Sequence, residues 1–560
     1  MRKILTILFV FVTVAAFSQQ RKIQLIHSDN TIKDETKYPK AIVALGNVMV
    51  EHEGATLACK QALIYQEANI IKAFGDVVIN QGDTIIQNSK YVHYDGKTKT
   101  AQSWGNVVLT DPKMTLTTDT LHFDRVKQLL FYRDHATIKD STNTLESQIG
   151  HYYLETNKFQ ALSKVIITNP DNKVTSEHLD YYTDTGISNL YGPSTIEGKD
   201  NTLYCEEGFN DSKKRISHFI KNAKLIYQDR IIEGDSLYYD ENMKFASATG
   251  NIVVTDTINN SIVKGGYSEY FEDKDSVFVV NKPIAISTVE NDSTYIHGDT
   301  LLVTGEQDKR IIRAYHHVKL FKTDLQGKCD SLISNESTGL TKMYRRPVLW
   351  NDVNQITGDT IHFLSDTITE KLDSLKVYNN AFVIKKDSTG GFSQIKGKNL
   401  YGKFVKDTLD NIYVLGNGQM INYNRDENKK LQGITKMTCS NMKFVFKKGQ
   451  LDNLLYTIMP EGKTYPPSKF PKSEEKLPGF IWRENERPIT KDDVFTYDEG
   501  DDELIQVIIS KEREARKVRI EEEKKRIEEE RIKMEKEKKE LEGEKEEKIQ
   551  EEKVNRELKN

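Results

Sequence analysis

Cysteine is scarce in this chain of 560 residues, and its four copies are widely separated. A cysteine metal site, or the disulfide framework of a small secreted domain, requires cysteines at much shorter spacings. We therefore expect these side chains to be small buried apolar residues, and we expect neither a bound metal nor a cofactor. The four residues are Cys59, Cys205, Cys329 and Cys439.

An excess of one charge is also missing, and so are long apolar runs after the N-terminus. The net charge is −4, which argues against nucleic-acid binding because that requires a basic face. The N-terminus reads "MRKILTILFVFVTVAAFSQQ", in which Arg2 and Lys3 precede an apolar stretch and a small-residue site ends at Ser18. This pattern predicts a signal peptide over residues 1–18. An uncleaved anchor is the alternative, but a membrane span needs about 20 apolar residues.

The sequence does contain one short pattern that recurs along most of its length. "AQSWGNVVLTDP" at 101–112 matches "ASATGNIVVTDT" at 246–257, and Gly105 and Gly250 lie 145 residues apart, which is five times 29. Stepping by about 30 residues finds the same position about thirteen times between residues 30 and 460, which indicates an internal repeat. The thirteen positions are Gly46, Gly75, Gly105, Asp134, Ser163, Tyr191, Lys221, Gly250, Asn281, His316, Arg345, Asn379 and Gly416.

Each repeat carries alternating apolar residues, which are typical of β-strands. A second sequence pattern, such as "YVHYD" or "LYYD", recurs midway through the unit. Each repeat is therefore expected to consist of a turn, a strand, a second turn and a second strand. Gly-Asn and Gly-Asp are interpreted as the turns. The period of two sends alternate side chains to one face, and each rung buries that face against the next. The predicted inward residues are Val48, Val50, Val77, Ile79, Val107, Leu109, Val165, Ile167, Ile252, Val254, Val318 and Leu320.

Two sets of residues are candidates for catalysis or metal binding. His316 and His317 could be catalytic, but they occupy the repeat position filled elsewhere by Gly-Asn, so a solvated turn is the favoured interpretation. Aspartates that follow glycine could bind calcium, but calcium-binding repeats place Gly and Asp much more densely. An Asx-turn or strand-end cap is favoured for these aspartates, which are Asp83, Asp235, Asp299 and Asp359. No catalytic residue is predicted, and we expect the protein not to be an enzyme.

The repeat resembles the OstA-like family, which includes the lipopolysaccharide-transport proteins LptA and LptC and the periplasmic N-terminal domain of LptD. The pattern that carries the resemblance is Tyr239-Asp240, Ala246, Gly250-Asn251-Ile252 and Asp256, and it extends over roughly residues 30–460. The resemblance implies an all-β, elongated, twisted β-jellyroll whose apolar interior carries lipid A acyl chains toward the outer membrane. It also implies edge-to-edge pairing with other lipopolysaccharide-transport jellyrolls, and membrane contact only through such partners. The implied location is the periplasm, with or without association with the outer membrane.

Two other functions fit a secreted repeat protein. A parallel β-helix acting on polysaccharide would need carboxylates clustered on adjacent rungs, whereas the acidic residues here are scattered over turns. A scaffold or adhesin would fit the repeats but would leave the lipid-type pattern unexplained. The chain is also longer than a typical LptA, and it lacks the outer-membrane barrel of LptD.

The composition changes after residue 460. Residues 461–500 are rich in proline and are predicted to form a linker that lies over the last rung, with Trp482 as an anchor. Residues 501–560 consist largely of Glu, Lys and Arg. One apolar position per heptad is too few for a coiled coil, so the segment is predicted to be a solvated single helix stabilised by ion pairs between residues i and i+4.

Overall fold

The computed structural model describes residues 22–557, except for 83–84, 228, 259, 290–291, 306–308, 370, 406–407, 427 and 448–449. The predicted signal peptide at 1–18 and Asp83 lie outside these residues. The chain forms two compact units, one ending at Pro283 and the other beginning at Ile284. The prediction of an all-β fold followed by a C-terminal helix is confirmed.

The described residues of the first unit form 21 strands that pair antiparallel with their neighbours. They are β1 Gln24–His27, β2 Asn30–Ile32, β3 Ile42–His52, β4 Ala55–Tyr65, β5 Ile70–Gln81, β6 Ile85–Asp95, β7 Thr100–Thr110, β8 Thr115–Asp124, β9 Leu129–Tyr132, β10 Ala136–Lys139, β11 Thr144–Ser147, β12 Ile149–Tyr153, β13 Lys158–Thr168, β14 Lys173–Tyr182, β15 Ile187–Glu197, β16 Asn201–Asp211, β17 Ile216–Tyr227, β18 Arg230–Asp240, β19 Phe245–Asp256, β20 Ser261–Phe271 and β21 Ser276–Val280. A short 3-10 helix spans Glu272–Lys274.

The second unit has the same antiparallel design in its described residues, followed by short 3-10 helices and one long α-helix. Its strands are β22 Ile284–Val289, β23 Asp292–His297, β24 Thr300–Thr304, β25 Ile311–Phe321, β26 Gln326–Asn335, β27 Leu340–Tyr344, β28 Val348–Asn351, β29 Asn354–Thr357, β30 Thr360–Ser365, β31 Leu372–Lys386, β32 Phe392–Val405, β33 Thr408–Arg425, β34 Leu431–Lys447, β35 Gln450–Thr457 and β36 Glu461–Tyr465. The 3-10 helices span Pro467–Lys469, Lys472–Glu474, Glu484–Glu486 and Lys491–Phe495, and α1 spans Asp501–Glu557.

The recurring Gly-Asn pattern forms a β-bulge within a strand and not a hairpin turn. The interpretation of this pattern as a turn is therefore wrong. In β3, Leu45 pairs with Gln61 and Val48 pairs with Cys59, which leaves Gly46 and Asn47 opposite a single residue. Both have positive φ, 71° and 44°, and a glycine in the left-handed conformation occurs in one class of bulge. Glycine and asparagine tolerate this conformation in turns and in bulges alike, so the local sequence could not separate the two.

All thirteen repeat positions share this backbone geometry. Each has a positive φ at the position itself, at the next residue, or at both, including those without glycine, such as Arg345 and Asn379. The structure adds a further pair with positive φ at Ile458 and Met459. The repeat search missed this pair because neither residue is a turn-forming type and the step from Gly416 is 42 residues.

The bulges fold the sheet of the first unit into two walls. Each long strand has one half on either side of its bulge. The first wall consists of the halves next to the connections 66–69, 96–99 and 125–128, and of the equivalent halves in the later strands of the unit. The second wall consists of the halves that end at 53–54, 111–114 and their counterparts. Leu109 and Leu116 from the second wall share one apolar cluster with Leu121 and Leu130 from the first. Each repeat therefore contributes two bent strands, and both walls face one interior.

Replacing Gly250 with alanine tests the bulge. Gly250 has a φ of 70°, and an added Cβ would lie 2.2 Å from Oδ2 of Asp235 on the neighbouring strand. We expect Gly250→Ala to lower the free energy of unfolding by about 1–3 kcal/mol, because a strained φ adds to a steric clash. Gly54→Ala is the control, since Gly54 also has a positive φ but has no atom within 4 Å of the added Cβ. Equal losses in chemical denaturation would show that only φ matters.

Residues 466–500, which we call the strap, pack against strands of the second unit. Phe470 and Leu477 are buried against Phe382 and Ile434, and the Trp482 ring centroid lies 5.2 Å from that of Phe392. Within the predicted linker at 461–500, residues 461–465 form strand β36 and the strap contacts the sheet through residues that include Trp482.

The strap is held by side-chain amides that take the place of a neighbouring strand. Gln394 donates to the Glu475 carbonyl at 2.7 Å and accepts from the Leu477 amide at 2.8 Å. Gln355 pairs in the same way with the Ile481 carbonyl and the Arg483 amide, at 2.7 and 2.6 Å. Both glutamines are fully buried, so these bonds satisfy polar groups that would otherwise be costly to bury.

The charged tail is helical, as predicted. Ile505 near the start of α1 is buried, whereas Val518, Ile520 and Ile527 are exposed. Residues 513–534 are all exposed.

Candidate functional site

An apolar cavity lies between the two walls of the first unit. It has a volume of about 810 Å³, counted with its open mouth. Val50, Ile79 and Leu109 line it from the second wall, and Ile71, Phe123 and Leu130 line it from the first. A concave surface lined mainly by apolar side chains is typical of a small-molecule or lipid site.

The structure places all twelve predicted inward residues in the interior of one unit or the other. Three of them, Val50, Ile79 and Leu109, line the cavity. Val165, Ile167, Ile252 and Val254 belong to or pack against the cluster of Leu109 and Leu121, and Val48 and Val77 belong to a second cluster. Val107 is in the first cluster, and Val318 and Leu320 are buried in the second unit. Contact of these residues with lipid stays a prediction.

The interior is not equally open along the first unit. Ile252 is 1% exposed and lies in a packed cluster, whereas Ile79 is partly buried at the cavity. The side chains around Ile252 are packed against one another, and the part of the interior near the N-terminus has room for a ligand.

Sequence reasoning missed the polar rim of the cavity. His52 Nδ1 lies 2.7 Å from the Tyr94 hydroxyl, and both residues line the cavity. Burial raises the pKa of Tyr94 above its ordinary value, so the phenol is neutral at physiological pH. Alternation within "YVHYD" could have placed Tyr94 on the inner face with Val92. Nothing in the local sequence pairs it with His52, 42 residues earlier.

A group of charges joins the two walls at the same rim. The Arg125 guanidinium donates to the backbone carbonyls of His52 and Glu53, at 3.1 and 2.5 Å. Lys99 Nζ donates to Glu53 Oε2 at 2.8 Å. The hydrogen bond from Lys99 lowers the pKa of Glu53, so this carboxyl is ionised near neutral pH. Arg125 and Lys99 lie on connections of the first wall, and Glu53 lies on a connection of the second.

The recurring aspartates have a structural partner that neither earlier interpretation anticipated. Asp235 accepts from the Asn251 amide at 3.0 Å, and Asp359 accepts from Asn380 at the same distance. Each aspartate thus bonds the second residue of the bulge on the next strand, and does not cap its own turn. The Asx-turn interpretation of these residues is therefore wrong. Asn251 follows Asp235 by 16 residues and Asn380 follows Asp359 by 21, so no fixed spacing in the sequence marks these pairs.

The histidine pair also lies at a bulge and is not a solvated turn. His317 lies 2.7 Å from Asp299 and 2.8 Å from Asp502 at the start of α1, and His316 lies 2.9 Å from Asp330. Burial lowers the pKa of His317, but the two carboxylates outweigh it and raise the pKa above its ordinary value. These contacts give both histidines a structural role at the bulge.

The cysteine prediction is confirmed. All four thiols are free and buried, and burial raises the pKa of the Cys59 and Cys205 thiols to about 11. Such thiols are poor nucleophiles because the thiolate is the reactive form.

The fold and the cavity define a class of protein: a bent antiparallel sheet that encloses an apolar space between its walls. Residues 20–177, which contain the whole cavity, match a family described as "OstA-like protein". The resemblance inferred from the repeat is thereby confirmed over this segment.

The comparison with solved structures gives 12 matching chains. One is LptH from Pseudomonas aeruginosa, described as the LptA homologous periplasmic component of the conserved lipopolysaccharide transport device. It is 18% identical, and the match covers 19% of this chain and 81% of that chain with a TM-score of 0.18. No curated protein matches the chain. Among the helices of the described residues, none is long and apolar enough to span a membrane.

Proposed function

We propose that this protein is a non-catalytic periplasmic carrier that holds the acyl chains of lipopolysaccharide in the cavity of its first unit, on their way to the outer membrane. The observation that carries the proposal is the coincidence of the cavity with the OstA-like segment 20–177. The predicted lipid residues Val50, Ile79 and Leu109 are among those that line it. The fold supports the proposal because the cavity between the two walls is lined mainly by apolar side chains.

The energetics of an apolar site suit a carrier. Each methylene transferred from water contributes about 0.8 kcal/mol, so a few acyl chains bind usefully without a specific polar contact. The same non-directional attraction lets a chain move along the wall. Edge-to-edge pairing with another jellyroll is part of the proposal, since the short strands β1 and β2 lie beside β3 at the start of the sheet and an exposed edge favours pairing.

Site-specific photo-crosslinking in lipopolysaccharide-producing cells tests the carrier function. A photoreactive residue at Ile79 or Leu109 should label lipopolysaccharide, because both side chains line the cavity. The same residue at Val78 or Val108, which alternate with them along the strands and so point to the opposite face, should not. Labelling from Val78 and Val108 alone, or from none of the four, would refute the proposal. Crosslinkers near Gly46 and Gly416 that capture another jellyroll protein would support the edge pairing.

A further inference from the structure

The charges at the rim join parts of the sheet that are distant along it. The connection at 53–54 follows β3, and the connection at 125–128 follows β8. Four strand spacings separate β4 from β8, which is about 19 Å along the sheet. An arginine side chain cannot reach that far, so its bonds to His52 and Glu53 must cross the opening between the walls. The ion pair of Lys99 and Glu53 makes the same crossing.

The other carboxylates near the rim are engaged within their own connections. Glu51 accepts from the Gly54 amide at 2.7 Å. Asp124 accepts from the amides of Val126 and Lys127 and pairs with the Lys127 ammonium at 3.1 Å. Glu53 is thus the carboxylate that pairs with both cations across the opening, at 2.8 Å from Lys99 and 3.8 Å from Arg125.

These cations lie where the polar end of a bound amphiphile would be. Arg125 itself lines the cavity, and the side chains of Arg125 and Lys99 remain 17% and 33% exposed. Acyl chains placed between Ile79 and Phe123 would leave the headgroup at this rim. A guanidinium beside an ammonium is suited to a phosphate, which takes paired hydrogen bonds from arginine and a point charge from lysine.

We propose that Arg125 and Lys99 bind the phosphate of an amphiphile whose acyl chains fill the cavity, and that Glu53 closes the rim until the phosphate replaces it. The inference rests on the proposed function, since it assumes that acyl chains enter the cavity. Exchange of one anion for another conserves the pairing of both cations. The phosphate therefore opens the rim by displacing both the Glu53 carboxylate and the carbonyls of His52 and Glu53 from the two cations, and the apolar interior stays covered when no ligand is present.

Equilibrium binding to the purified full-length protein tests this inference with two probes of equal acyl-chain length. One probe is a monoacylglycerol phosphate, and the other is the uncharged monoacylglycerol. We expect the wild type to bind the phosphate probe more tightly. The double variant Arg125→Gln, Lys99→Gln should lose about tenfold in affinity for the phosphate probe and should bind the neutral probe at least as well. Glu53→Gln should raise affinity for the phosphate probe, because the competing carboxylate is gone. Lys127→Gln is the matched control, since Lys127 lies in the same connection and is 73% exposed.

The outcomes separate this inference from the carrier function. Equal affinity of the wild type for the two probes, or a loss of affinity in Glu53→Gln, would overturn the phosphate site and leave the carrier function standing. A double variant that lost affinity equally for both probes would also overturn it, because the charges would then act only by holding the walls. Failure of the wild type to bind either probe would overturn both proposals.

Discussion

Replacing Lys328 with methionine is expected to lower the free energy of unfolding of the second unit by about 3–5 kcal/mol. The Lys328 side chain is 3% exposed, and its ammonium lies 2.7 Å from both Glu486 and Asp498 and 2.9 Å from Asp501. Burial lowers the pKa of Lys328, but the hydrogen bonds to these carboxylates outweigh it and raise the pKa. The variant keeps the volume of the side chain and leaves three carboxylates without this cation.

The control is another lysine that contacts the strap. Lys386 pairs with Glu484 at 3.2 Å, and both side chains are about half exposed. Exposed pairs contribute about 0–1 kcal/mol, so Lys386→Met should have a small effect. Urea unfolding, followed by the fluorescence of Trp482 and by proteolysis within 466–500, compares the two variants. Equal stability of the two would show that packing alone holds the strap.

The pH at which the strap detaches from the sheet in acid gives a second test of the same ion pairs. Burial raises the pKa of Glu486, but the pairing with Arg483 and Lys328 lowers it to about 2 in the folded protein. A lowered carboxyl pKa stabilises the folded state above the unfolded value of about 4.5. This stabilisation should fade as the pH falls from about 4.5 toward 2. Glu486 loses a partner in Lys328→Met. On acidification, the strap of the variant should therefore detach from the sheet at a higher pH than the strap of the wild type.

Replacing Ile252 with aspartate is expected to unfold the strands around it. Ile252 is 1% exposed within the apolar cluster of the first unit. Truncation of a buried isoleucine to alanine costs about 2–5 kcal/mol, and a buried unpaired carboxylate adds a desolvation penalty. Hydrogen exchange should show lost protection in β18, β19 and β20, which pair with one another.

Two comparisons distinguish a packed core from an open groove at this position. Val253→Asp should change stability by less than about 1 kcal/mol, because the new carboxylate would lie between Glu233 and Lys264 on the opposite face. Ile79→Asp should cost less stability than Ile252→Asp, because Ile79 is only partly buried at the cavity, and it should lower lipid binding more. A stable Ile252→Asp variant with impaired lipid binding would show that the groove extends to Ile252.

Much of the architecture could be predicted from the sequence because its signals are local. Glycine and asparagine, which tolerate positive φ, mark most of the bulges, and the 29-residue step from His316 marks Arg345. Because side chains alternate along a strand, the sequence alone predicts that Ile252 faces the interior and that Val253 faces the opposite side. A run of charged helix-forming residues likewise predicts α1, since no buried partner is needed.

The tertiary structure decided whatever depends on residues that are distant in sequence. A positive φ suits a turn and a bulge equally, and only the strand pairing shows that β3 continues through Gly46. The cavity forms where side chains from both walls, such as Ile79 and Phe123, meet in the folded sheet. Lys328 pairs with Glu486, 158 residues later, and Arg125 pairs with Glu53, 72 residues earlier. Such contacts arise only when the sheet folds and the strap covers it, because their energy comes from burial and proximity, which no local pattern contains.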